Sequence, residues 1–360
     1  MKKILFLIPS LVGGGAERVT VTLANKLSKN YDVEILTLTH TESFYTLDDN
    51  VKVSGIGCFV NKKNALTKFL TRFKAAFKGF FEIRKAIKKK NPDVVIAFLN
   101  STASPLVLLK TFSRLKCKII VSERNDPRER NFLSRWFERN FFPKADVIVC
   151  QSKKAASFFK EKHKNKTVVI PNPICATAIP PLHEGERTKR IVGVGRLVEQ
   201  KNFELLINSF GKLSEEYTDY KLEIYGAGPL EKKLKQQIVD LNLTDRVFLM
   251  GAKKNVMFEI ADASLYVMSS NFEGFPNALA EAMATGLPVI STNFPTGVAH
   301  EIVKKENGIV VPIKDETALT RAMEKLLSDK ECLKKMSHEN KKYLDIFNEE
   351  SIVKMWENIF

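Results

Sequence analysis

Short apolar runs alternate along the chain with longer segments in which apolar residues recur every three or four positions. The short runs are rich in β-branched and aliphatic side chains, as strands buried on both faces of a parallel sheet require. The longer segments have the spacing of helices that pack one face against a sheet. This alternation predicts an α/β protein with parallel sheets.

The pattern places six strands in each half of the chain. In the first half the predicted strands are Lys3–Ile8, Val33–Leu38, Val94–Phe98, Ile119–Val121, Val147–Cys150 and Val168–Ile170, and the predicted helices are Glu17–Ser28, about 64–90 and Ser152–Lys162. In the second half the predicted strands are Ile191–Val194, Leu222–Tyr225, Val247–Met250, Leu265–Met268, Val289–Ser291 and Ile309–Val311, and the predicted helices are Phe203–Glu216, Leu230–Leu241, Ala278–Ala284 and Thr317–Ser328.

A proline-rich, polar segment separates the two halves. Pro171-Asn172-Pro173 is followed by Pro180-Pro181 and by the aperiodic stretch from His183 to Arg190, which has the composition of a linker. A chain of 360 residues is also long for one domain. We therefore predict two domains, 1–173 and 188–342, each a doubly wound sheet, with a cleft between them.

The charge of the chain is concentrated in its first half. Residues 1–173 carry 33 Lys and Arg against 14 Asp and Glu, whereas the remainder carries 24 against 27, within a formal net charge of +16. The first half is expected to meet an anionic partner, which charge alone leaves open between a membrane surface, a phosphorylated acceptor and nucleic acid. The five cysteines include no Cys-x-x-Cys pair, so a reducing cytoplasm fits best.

The amino terminus admits two interpretations. Lys2-Lys3 followed by the apolar run Ile4–Val12 has the order of a secretory signal. Pro9 interrupts that run, and a buried strand followed by a phosphate loop is favoured. No stretch reaches the ~18 uninterrupted apolar residues of a spanning helix.

Three glycine-containing segments carry the candidate chemistry, each placed where a predicted strand ends. Gly13-Gly14-Gly15-Ala16-Glu17-Arg18 would aim helix N–H groups at an anion, although a plain turn needs only one glycine. Gly195-Arg196-Leu197-Val198-Glu199-Gln200-Lys201-Asn202 offers two cations for a diphosphate, unless both are solvated surface charges. Glu273-Gly274-Phe275-Pro276-Asn277-Ala278-Leu279-Ala280-Glu281 offers two carboxylates for sugar hydroxyls, unless Glu281 only lies on a helix surface.

These segments and Gly226–Pro229, in this order, resemble the GT-B glycosyltransferases of the retaining "group 1" (family 4-like) type over essentially the whole chain. The resemblance implies an enzyme in which Arg196 and Lys201 neutralise a nucleotide diphosphate and Glu273 holds the transferred sugar. It further implies that the C-terminal segment, 343–360, returns to the first domain. The implied donor-binding residues are Gly14, Gly15, Gly228, Gly274, Phe275, Pro276, Asn277 and Glu281.

Within that set the resemblance implies separate contacts for phosphate, ribose and sugar. Gly14 and Gly15 would meet the phosphates, Glu281 the nucleotide ribose, and the backbone of Gly274 to Asn277 the sugar, while Met250 to Lys253 would lie near the base. The resemblance also implies retention of anomeric configuration by front-face attack, in which the leaving diphosphate accepts the acceptor's proton. No Asp-x-Asp sequence stands in a metal-binding context, so no metal cofactor is expected. A UDP-sugar is the expected donor substrate.

One segment departs from the family pattern. Many relatives carry histidine in the loop after the fourth predicted strand, where this chain has Ser122-Glu123-Arg124-Asn125-Asp126. Arg124 is a candidate for a phosphate or acceptor group. It is equally a candidate for an internal pair with Glu123 or Asp126.

The helix at about 64–90 is a candidate acceptor surface. Between Asn61 and Asn91 there are eleven Lys or Arg and one acid, interleaved with phenylalanines at helical spacing. Its cations, among them Lys68, Arg72 and Lys78, suit an anionic membrane surface or a lipid-linked diphosphate. The alternative is a domain helix whose phenylalanines pack into the core.

Most relatives of the type that this chain resembles extend an oligosaccharide on a polyprenyl diphosphate at the inner face of the bacterial membrane. The resemblance therefore implies an enzyme at that face with a polyprenyl-diphosphate-linked acceptor. A UDP-sugar epimerase of the same fold is the nearest alternative, and the paired-glutamate loop argues against it. An NAD-dependent oxidoreductase would need the dinucleotide glycine spacing, which GGGAER lacks. Nucleic-acid binding is disfavoured because no recognisable module accompanies the basic helix.

Overall fold

The structure, a computed structural model, describes residues 1–12, 14–39, 42–57, 67–113, 115–124 and 127–360, with side chains at all of them except 67–78, 129, 160–162, 164, 176 and 344. The chain divides into two compact units. The first comprises Met1–Pro173 together with Glu349–Phe360, and the second comprises Ile174–Asn348.

In the described residues of the first unit, seven parallel strands form one sheet. The strands are β1 (Lys3–Ile8), β2 (Asp32–Thr37), β3 (Lys52–Gly55), β4 (Val94–Phe98), β5 (Lys118–Ser122), β6 (Val147–Cys150) and β7 (Thr167–Val169), in the order β3-β2-β1-β4-β5-β6-β7. The helices are α1 (Gly15–Leu27), α2 (Thr67–Lys90), α3 (Asn100–Phe112), α4 (Phe132–Phe141) and α5 (Lys153–His163). Alternate residues of each central strand enter cores on opposite faces, as Ile4 and Leu5 do.

In the second unit, six parallel strands form a sheet of the same kind. The strands are β8 (Thr188–Val194), β9 (Lys221–Tyr225), β10 (Val247–Gly251), β11 (Ala263–Met268), β12 (Val289–Thr292) and β13 (Gly308–Val311), in the order β10-β9-β8-β11-β12-β13. The helices are α6 (Phe203–Gly211), α7 (Glu231–Asp240), α8 (Val256–Ile260), α9 (Asn277–Ala284), α10 (Val298–Ile302), α11 (Glu316–Leu327), α12 (Lys330–Lys341) and α13 (Tyr343–Ile346).

The last helix, α14 (Glu349–Glu357), belongs to the first unit. Trp356 is buried there and stacks on Phe98 with ring centroids 5.8 Å apart. Glu349 forms a salt bridge of 2.8 Å with Lys26 of α1. The chain therefore crosses from the second unit back into the core of the first.

The predicted parallel α/β architecture is confirmed in both units, with two local corrections. Strand β3 was missed because its side chains are exposed or half-buried and only its backbone ladder with β2 defines it. The helix predicted over Phe203–Glu216 ends at Gly211, and Leu213 and Tyr217 are buried through a turn and a short 3-10 helix instead. Helical spacing of apolar residues had extended the prediction past the glycine.

Helix α2 shows that the packing interpretation of the basic helix holds for its C-terminal half. Ile83 and Ile87 are buried in the core of the first unit, and Phe80 packs against the same core. Lys90 pairs with Glu34. Within the described residues, no helix combines the length and the apolar character needed to cross a bilayer.

Candidate active site

The candidate site of the second unit forms where the strand order reverses. Strands β8 and β11 are neighbours in the sheet, yet the chain leaves β8 toward β9 on one side and leaves β11 toward β12 on the other. In open parallel sheets, ligands bind outside the carboxyl ends of the strands at such a switch point. The loop that begins at Gly195 follows β8, and the loop that contains Glu273 follows β11.

Lys201, which was predicted to contact the diphosphate of the donor, and Glu273, which was predicted to contact its sugar, form an ion pair across these two loops. The Lys201 ammonium lies 2.6 Å from Glu273 Oε1, and their side chains are only 15% and 8% exposed. Ser270 Oγ donates to the same carboxylate oxygen at 2.7 Å, and Gln200 Nε2 donates to Oε2 at 3.2 Å. Oε1 thus already accepts two hydrogen bonds, whereas Oε2 accepts one and keeps a lone pair with which to bind a hydroxyl.

Polar residues that the sequence analysis missed hold the two loops in register. The amide and side chain of Asn271 donate to the carbonyls of Gln200 and Glu199, each at 2.8 Å. Ser269 Oγ donates to the Lys201 carbonyl at 2.9 Å. The only sequence signal was a run of short polar residues directly after a buried strand.

The glycines of this region make a close approach between loops possible. Gly226 has φ +149°, and a Cβ there would lie 1.8 Å from the Gly195 carbonyl oxygen. A Cβ on Gly228 would lie 2.5 Å from the Leu197 carbonyl oxygen. Leu197 N donates to Ala227 O at 3.0 Å, which fastens the Gly226–Pro229 loop onto the cationic loop. The predicted donor contact of Gly228 stays a prediction.

Gly195 and Arg196 complete the cationic loop. A Cβ on Gly195 would lie 3.0 Å from the Cδ and Cε atoms of Lys201, so glycine leaves room for the lysine side chain. Arg196 is exposed, and within the described part of the chain its guanidinium has no hydrogen-bond or ion-pair partner. Lys201 is thus already engaged, whereas Arg196 remains available to an anion.

Helix α9 begins at Asn277, as the predicted start near Asn277 or Ala278 required. The ring of Phe275 is buried and packs edge-on against Phe347 at 5.6 Å, so this residue offers its backbone rather than its side chain to a ligand. Pro276 is buried, whereas Gly274 and Asn277 are half-buried. Glu281 lies in the second turn of the helix and is also half-buried.

The charges of Glu273 and Glu281 both act on a buried tyrosine, Tyr266. Tyr266 of β11 is fully buried, and its hydroxyl has no hydrogen-bond partner among the described residues. Burial raises the pKa of Tyr266 well above its usual value, and the negative charges of Glu273 and Glu281 raise it further. No sequence pattern distinguished this tyrosine from an ordinary core residue.

The glycine loop of the first unit lies at the carboxyl end of β1. Gly13 lies outside the described residues, Gly14 is extended, and α1 begins at Gly15. The Tyr45 hydroxyl accepts from Gly14 N at 3.2 Å and donates to Gly14 O at 3.1 Å. A Cβ on Gly14 would lie 2.4 Å from Glu17 Oε2, so the Glu17 carboxylate lies against the segment predicted to meet phosphate.

Arg124 lies at the carboxyl end of β5 and is 6% exposed. Its guanidinium lies 4.7 Å from the centre of the Phe98 ring, and Nη1 donates to Ser122 Oγ at 3.3 Å. Burial lowers the pKa of Arg124 to about 9, against the opposing effect of Glu123 and Glu17. Nη2 has no hydrogen-bond partner among the described residues, which is compatible with the predicted anion contact. Asp126, its other predicted partner, lies outside them.

The Glu123 carboxylate forms a salt bridge with Arg130, at 2.6 Å from Nη2, and its Oε1 also accepts from the backbone N–H of Arg124 at 3.0 Å. Arg130 Nη1 also pairs with Glu138, which accepts from Asn100 as well. Glu138 is 1% exposed, and burial raises its pKa to about 7, with Glu123 adding to the rise and Arg130 opposing it. This network had no sequence signal, because its members come from separate elements.

Lys68, Arg72 and Lys78 lie on α2 but outside the residues whose side chains the structure describes. Their role as acceptor contacts stays a prediction.

Comparison with known families identifies the class of the protein. Residues 177–343 match the family model of "Glycosyl transferases group 1", and residues 13–177 match that of "Glycosyltransferase Family 4". Together the two glycosyltransferase models span residues 13–343 of this chain. The protein is a glycosyltransferase, as predicted.

Two curated relatives of this glycosyltransferase come from Campylobacter jejuni. One, named GalNAc-α-(1→4)-GalNAc-α-(1→3)-diNAcBac-PP-undecaprenol α-1,4-N-acetyl-D-galactosaminyltransferase, is 28% identical over 99% of this chain and 97% of its own. The other, named N-acetylgalactosamine-N,N'-diacetylbacillosaminyl-diphospho-undecaprenol 4-α-N-acetylgalactosaminyltransferase, is 27% identical over 98% of each chain. Among solved structures, sucrose-phosphate synthase from Thermosynechococcus elongatus matches with a TM-score of 0.85 at 17% identity, covering 100% of this chain and 98% of its own. The GT-B fold is thereby confirmed.

Proposed function

We propose that this glycosyltransferase transfers a hexose or N-acetylhexosamine from a UDP-sugar to a polyprenyl-diphosphate-linked glycan, with retention of anomeric configuration. The observation that carries the proposal is the Lys201–Glu273 pair at the switch point of the second sheet, with Arg196 exposed beside it. The names of both Campylobacter relatives support an undecaprenyl-diphosphate-linked acceptor. Support for UDP comes from Anabaena HepE, of the same fold at 16% identity, which was solved with UDP.

The charges of the site suit departure of a diphosphate. In the proposed reaction an acceptor hydroxyl oxygen bonds to the anomeric carbon while the bond from that carbon to the phosphate oxygen breaks. The leaving diphosphate takes the hydroxyl proton. Arg196 and Lys201 stabilise the negative charge that develops on the leaving group. Such electrostatic stabilisation is strongest in a site that excludes water.

Glu273 orients the transferred sugar in this proposal. Donors from Lys201, Ser270 and Gln200 fix its carboxylate, so the remaining lone pair on Oε2 points in a set direction. Because the Glu273 carboxylate is already held in place, it can accept a hydrogen bond from a sugar hydroxyl without losing side-chain entropy when the sugar binds. Glu281, one helical turn into α9, binds the ribose hydroxyls.

No metal ion takes part in the proposed reaction, because the two cations supply the positive charge on the diphosphate. The enzyme works at the cytoplasmic face of the plasma membrane, where it is peripherally bound and meets its lipid-linked acceptor. Activity that survives exhaustive treatment with EDTA is the expected result. Activity lost with EDTA and restored by Mg²⁺ or Mn²⁺ would show that this part of the proposal is wrong.

The function is tested with purified full-length protein and a panel of nucleotide-sugars, with and without a lipid-diphosphate-linked glycan. We expect UDP release only when both substrates are present, and an α-anomeric product from an α-linked donor by NMR. The alternative epimerase would convert a UDP-sugar to its epimer with no acceptor present. Inverted product, or epimerisation alone, would refute the proposal.

A further inference from the structure

Helix α4 of the first unit presents apolar side chains to the outside. Phe132, Leu133 and Trp136 are 70%, 75% and 54% exposed. Single exposed apolar residues are ordinary, but three on adjoining positions of one short helix form a patch of the kind that marks an interaction site. The proposed function, on which this inference rests, binds the enzyme to a membrane but assigns that contact to no surface.

The inward side of α4 does not require these residues. Phe137 and Phe141 stack on each other, with ring centroids 4.7 Å apart, and pack against the core of the unit. Glu138 lies on the same inward side, where it pairs with Arg130. Phe137, Glu138 and Phe141 therefore hold the helix in place, and Trp136 adds an edge-on contact with Phe141, at 6.1 Å between ring centroids, while remaining half exposed.

Cations border the outward residues. At 100° per residue, Arg135 and Arg139 fall beside Phe132 and Trp136, and both arginines are exposed. We call Phe132, Leu133, Arg135, Trp136 and Arg139 the α4 face. Aromatic and aliphatic side chains flanked by arginines are the composition of helices that lie in the interface of an anionic bilayer.

A cationic cavity adjoins the end of the α4 face. It has a volume of about 410 Å³ and is lined by Arg139, Asn140, Pro143, Lys144, His163 and Lys166. Lys166 Nζ is held at the wall by the carbonyls of Pro143 and Ala145, at 3.1 and 3.2 Å. The described residues that line it include no Asp or Glu, so the cavity favours an anion.

The cavity lies at the amino ends of β6 and β7, because Lys166 immediately precedes β7 and Lys144 lies three residues before β6. Arg124 lies at the opposite, carboxyl edge of the sheet. An occupant of the cavity therefore leaves the Arg124 edge uncovered.

We propose that the α4 face and the adjoining cavity dock this enzyme on an anionic lipid bilayer, with Phe132, Leu133 and Trp136 among the acyl chains near the headgroups and a lipid phosphate in the cavity. Charge complementarity selects this occupant, because the patch is apolar at its centre and cationic at its border. The surface is separate from the basic helix α2. Bilayer binding is measured without catalysis, so its failure is distinguishable from failure of the proposed function.

Trp136 provides a direct reporter of docking. The chain has two tryptophans, and the other, Trp356, is buried in the core. On vesicles of phosphatidylglycerol and phosphatidylcholine, we expect the emission of Trp136 to shift to shorter wavelength and to be quenched by brominated lipid. Vesicles of phosphatidylcholine alone should produce a much smaller change, and added salt should weaken binding.

Matched variants locate the surface by cosedimentation with the same vesicles. Leu133→Ser/Trp136→Ser and Arg139→Glu/Lys144→Glu should each weaken partitioning by about tenfold or more. The control is Phe112→Ser, which removes another phenylalanine of the first unit that is 75% exposed. Binding lost in the control to the same extent would overturn the proposal.

The remaining outcomes also decide the matter. Unchanged Trp136 emission on vesicles that pellet the protein, with binding lost in Lys68→Ala/Arg72→Ala/Lys78→Ala, would assign docking to α2 instead. A dimer that forms in solution and is abolished by Leu133→Ser/Trp136→Ser would assign the α4 face to a second copy of the chain. Saturation of the cavity by inorganic phosphate without any effect on vesicle binding would overturn the lipid-phosphate contact.

Discussion

The Lys201 ammonium lies 2.6 Å from Glu273 Oε1, although the two residues are 72 positions apart in sequence. One residue follows β8 and the other follows β11, and the adjacency of these parallel strands brings both to the same edge of the sheet. In the proposed reaction Lys201 stabilises charge on the leaving group and Glu273 orients the transferred sugar, so the ion pair links these two roles. A change to either residue should therefore affect the other.

Lys201→Ala should lower kcat about a hundredfold or more while the protein still folds. The expectation rests on the ~2.7–4 kcal/mol typically lost with one group that stabilises a developing oxyanion. Arg196→Ala should have an effect of the same order for the same reason. The measurement is steady-state UDP release, with Lys235→Ala on α7 as an exposed, salt-bridged control. Turnover near that of the wild type would remove both residues from the proposed machinery.

The Lys201→Ala/Glu273→Gln double variant should lose less activity than the two single losses combined. Residues that act as a unit are non-additive, because the first substitution already disables the shared function. A double-mutant cycle on kcat/KM measures this coupling. Strict additivity would show that the ion pair has no part in transfer.

Glu281→Ala should weaken binding of UDP but leave binding of 2′,3′-dideoxy-UDP unchanged. Loss of hydrogen bonds to a charged acceptor costs about 1.5–3 kcal/mol, which corresponds to roughly a ten- to hundredfold change in Kd. Calorimetric titration of both nucleotides against both proteins tests the ribose assignment. An equal loss for the two nucleotides would place Glu281 elsewhere in the site.

Gly226→Ala should lower the free energy of unfolding by about 3 kcal/mol, because the added Cβ meets the Gly195 carbonyl and the residue has φ +149°. Gly79→Ala is the control, since a Cβ there meets no atom of the described residues within 4 Å beyond the backbone of its own helix, and the site lies inside α2. That change should raise stability by about 0.5–1 kcal/mol. Thermal unfolding of both variants makes the comparison, and a Gly226→Ala protein as stable as wild type would contradict the loop contact.

Glu138 should make stability fall as pH rises from about 4.5 to about 7. Burial raises the pKa of its carboxyl from the usual 4.5 to about 7, so the folded protein binds this proton more tightly than the unfolded chain. The contribution is fully present below pH 4.5 and is lost as pH rises through the folded pKa, by about 3 kcal/mol. Urea unfolding of Glu138→Gln should show a flatter pH profile across this window. An unchanged profile, equal to that of the exposed Glu350→Gln control, would contradict the assignment.

The sequence predicted the structure best where a short local pattern of residues is typical of a single kind of element. Apolar runs predicted the buried strands, and the Gly-Phe-Pro-Asn segment predicted the start of α9 to within one residue. It was least informative where contacts between distant segments decide the structure. The Lys201–Glu273 pair depends on Asn271 binding the backbone of residues 199 and 200, and no local pattern encodes that contact.

Helix α4 shows the same limit in another form. Its apolar residues have helical spacing, but Phe132, Leu133 and Trp136 lie outward while Glu138 is buried. Periodicity alone would place the apolar side inward. The partners of Glu138, which come from two other segments, explain why a glutamate lies on the inward side beside Phe137 and Phe141.

The central claim is that this enzyme transfers a sugar from a nucleotide-sugar to a lipid-linked glycan through Lys201 and Glu273. The most direct test is release of UDP by wild type and by Lys201→Ala, measured with and without a polyprenyl-diphosphate-linked acceptor in anionic vesicles. We predict release by the wild type that requires the acceptor and falls at least about a hundredfold in Lys201→Ala. Release that is independent of the acceptor, or equal in the two proteins, would contradict the claim.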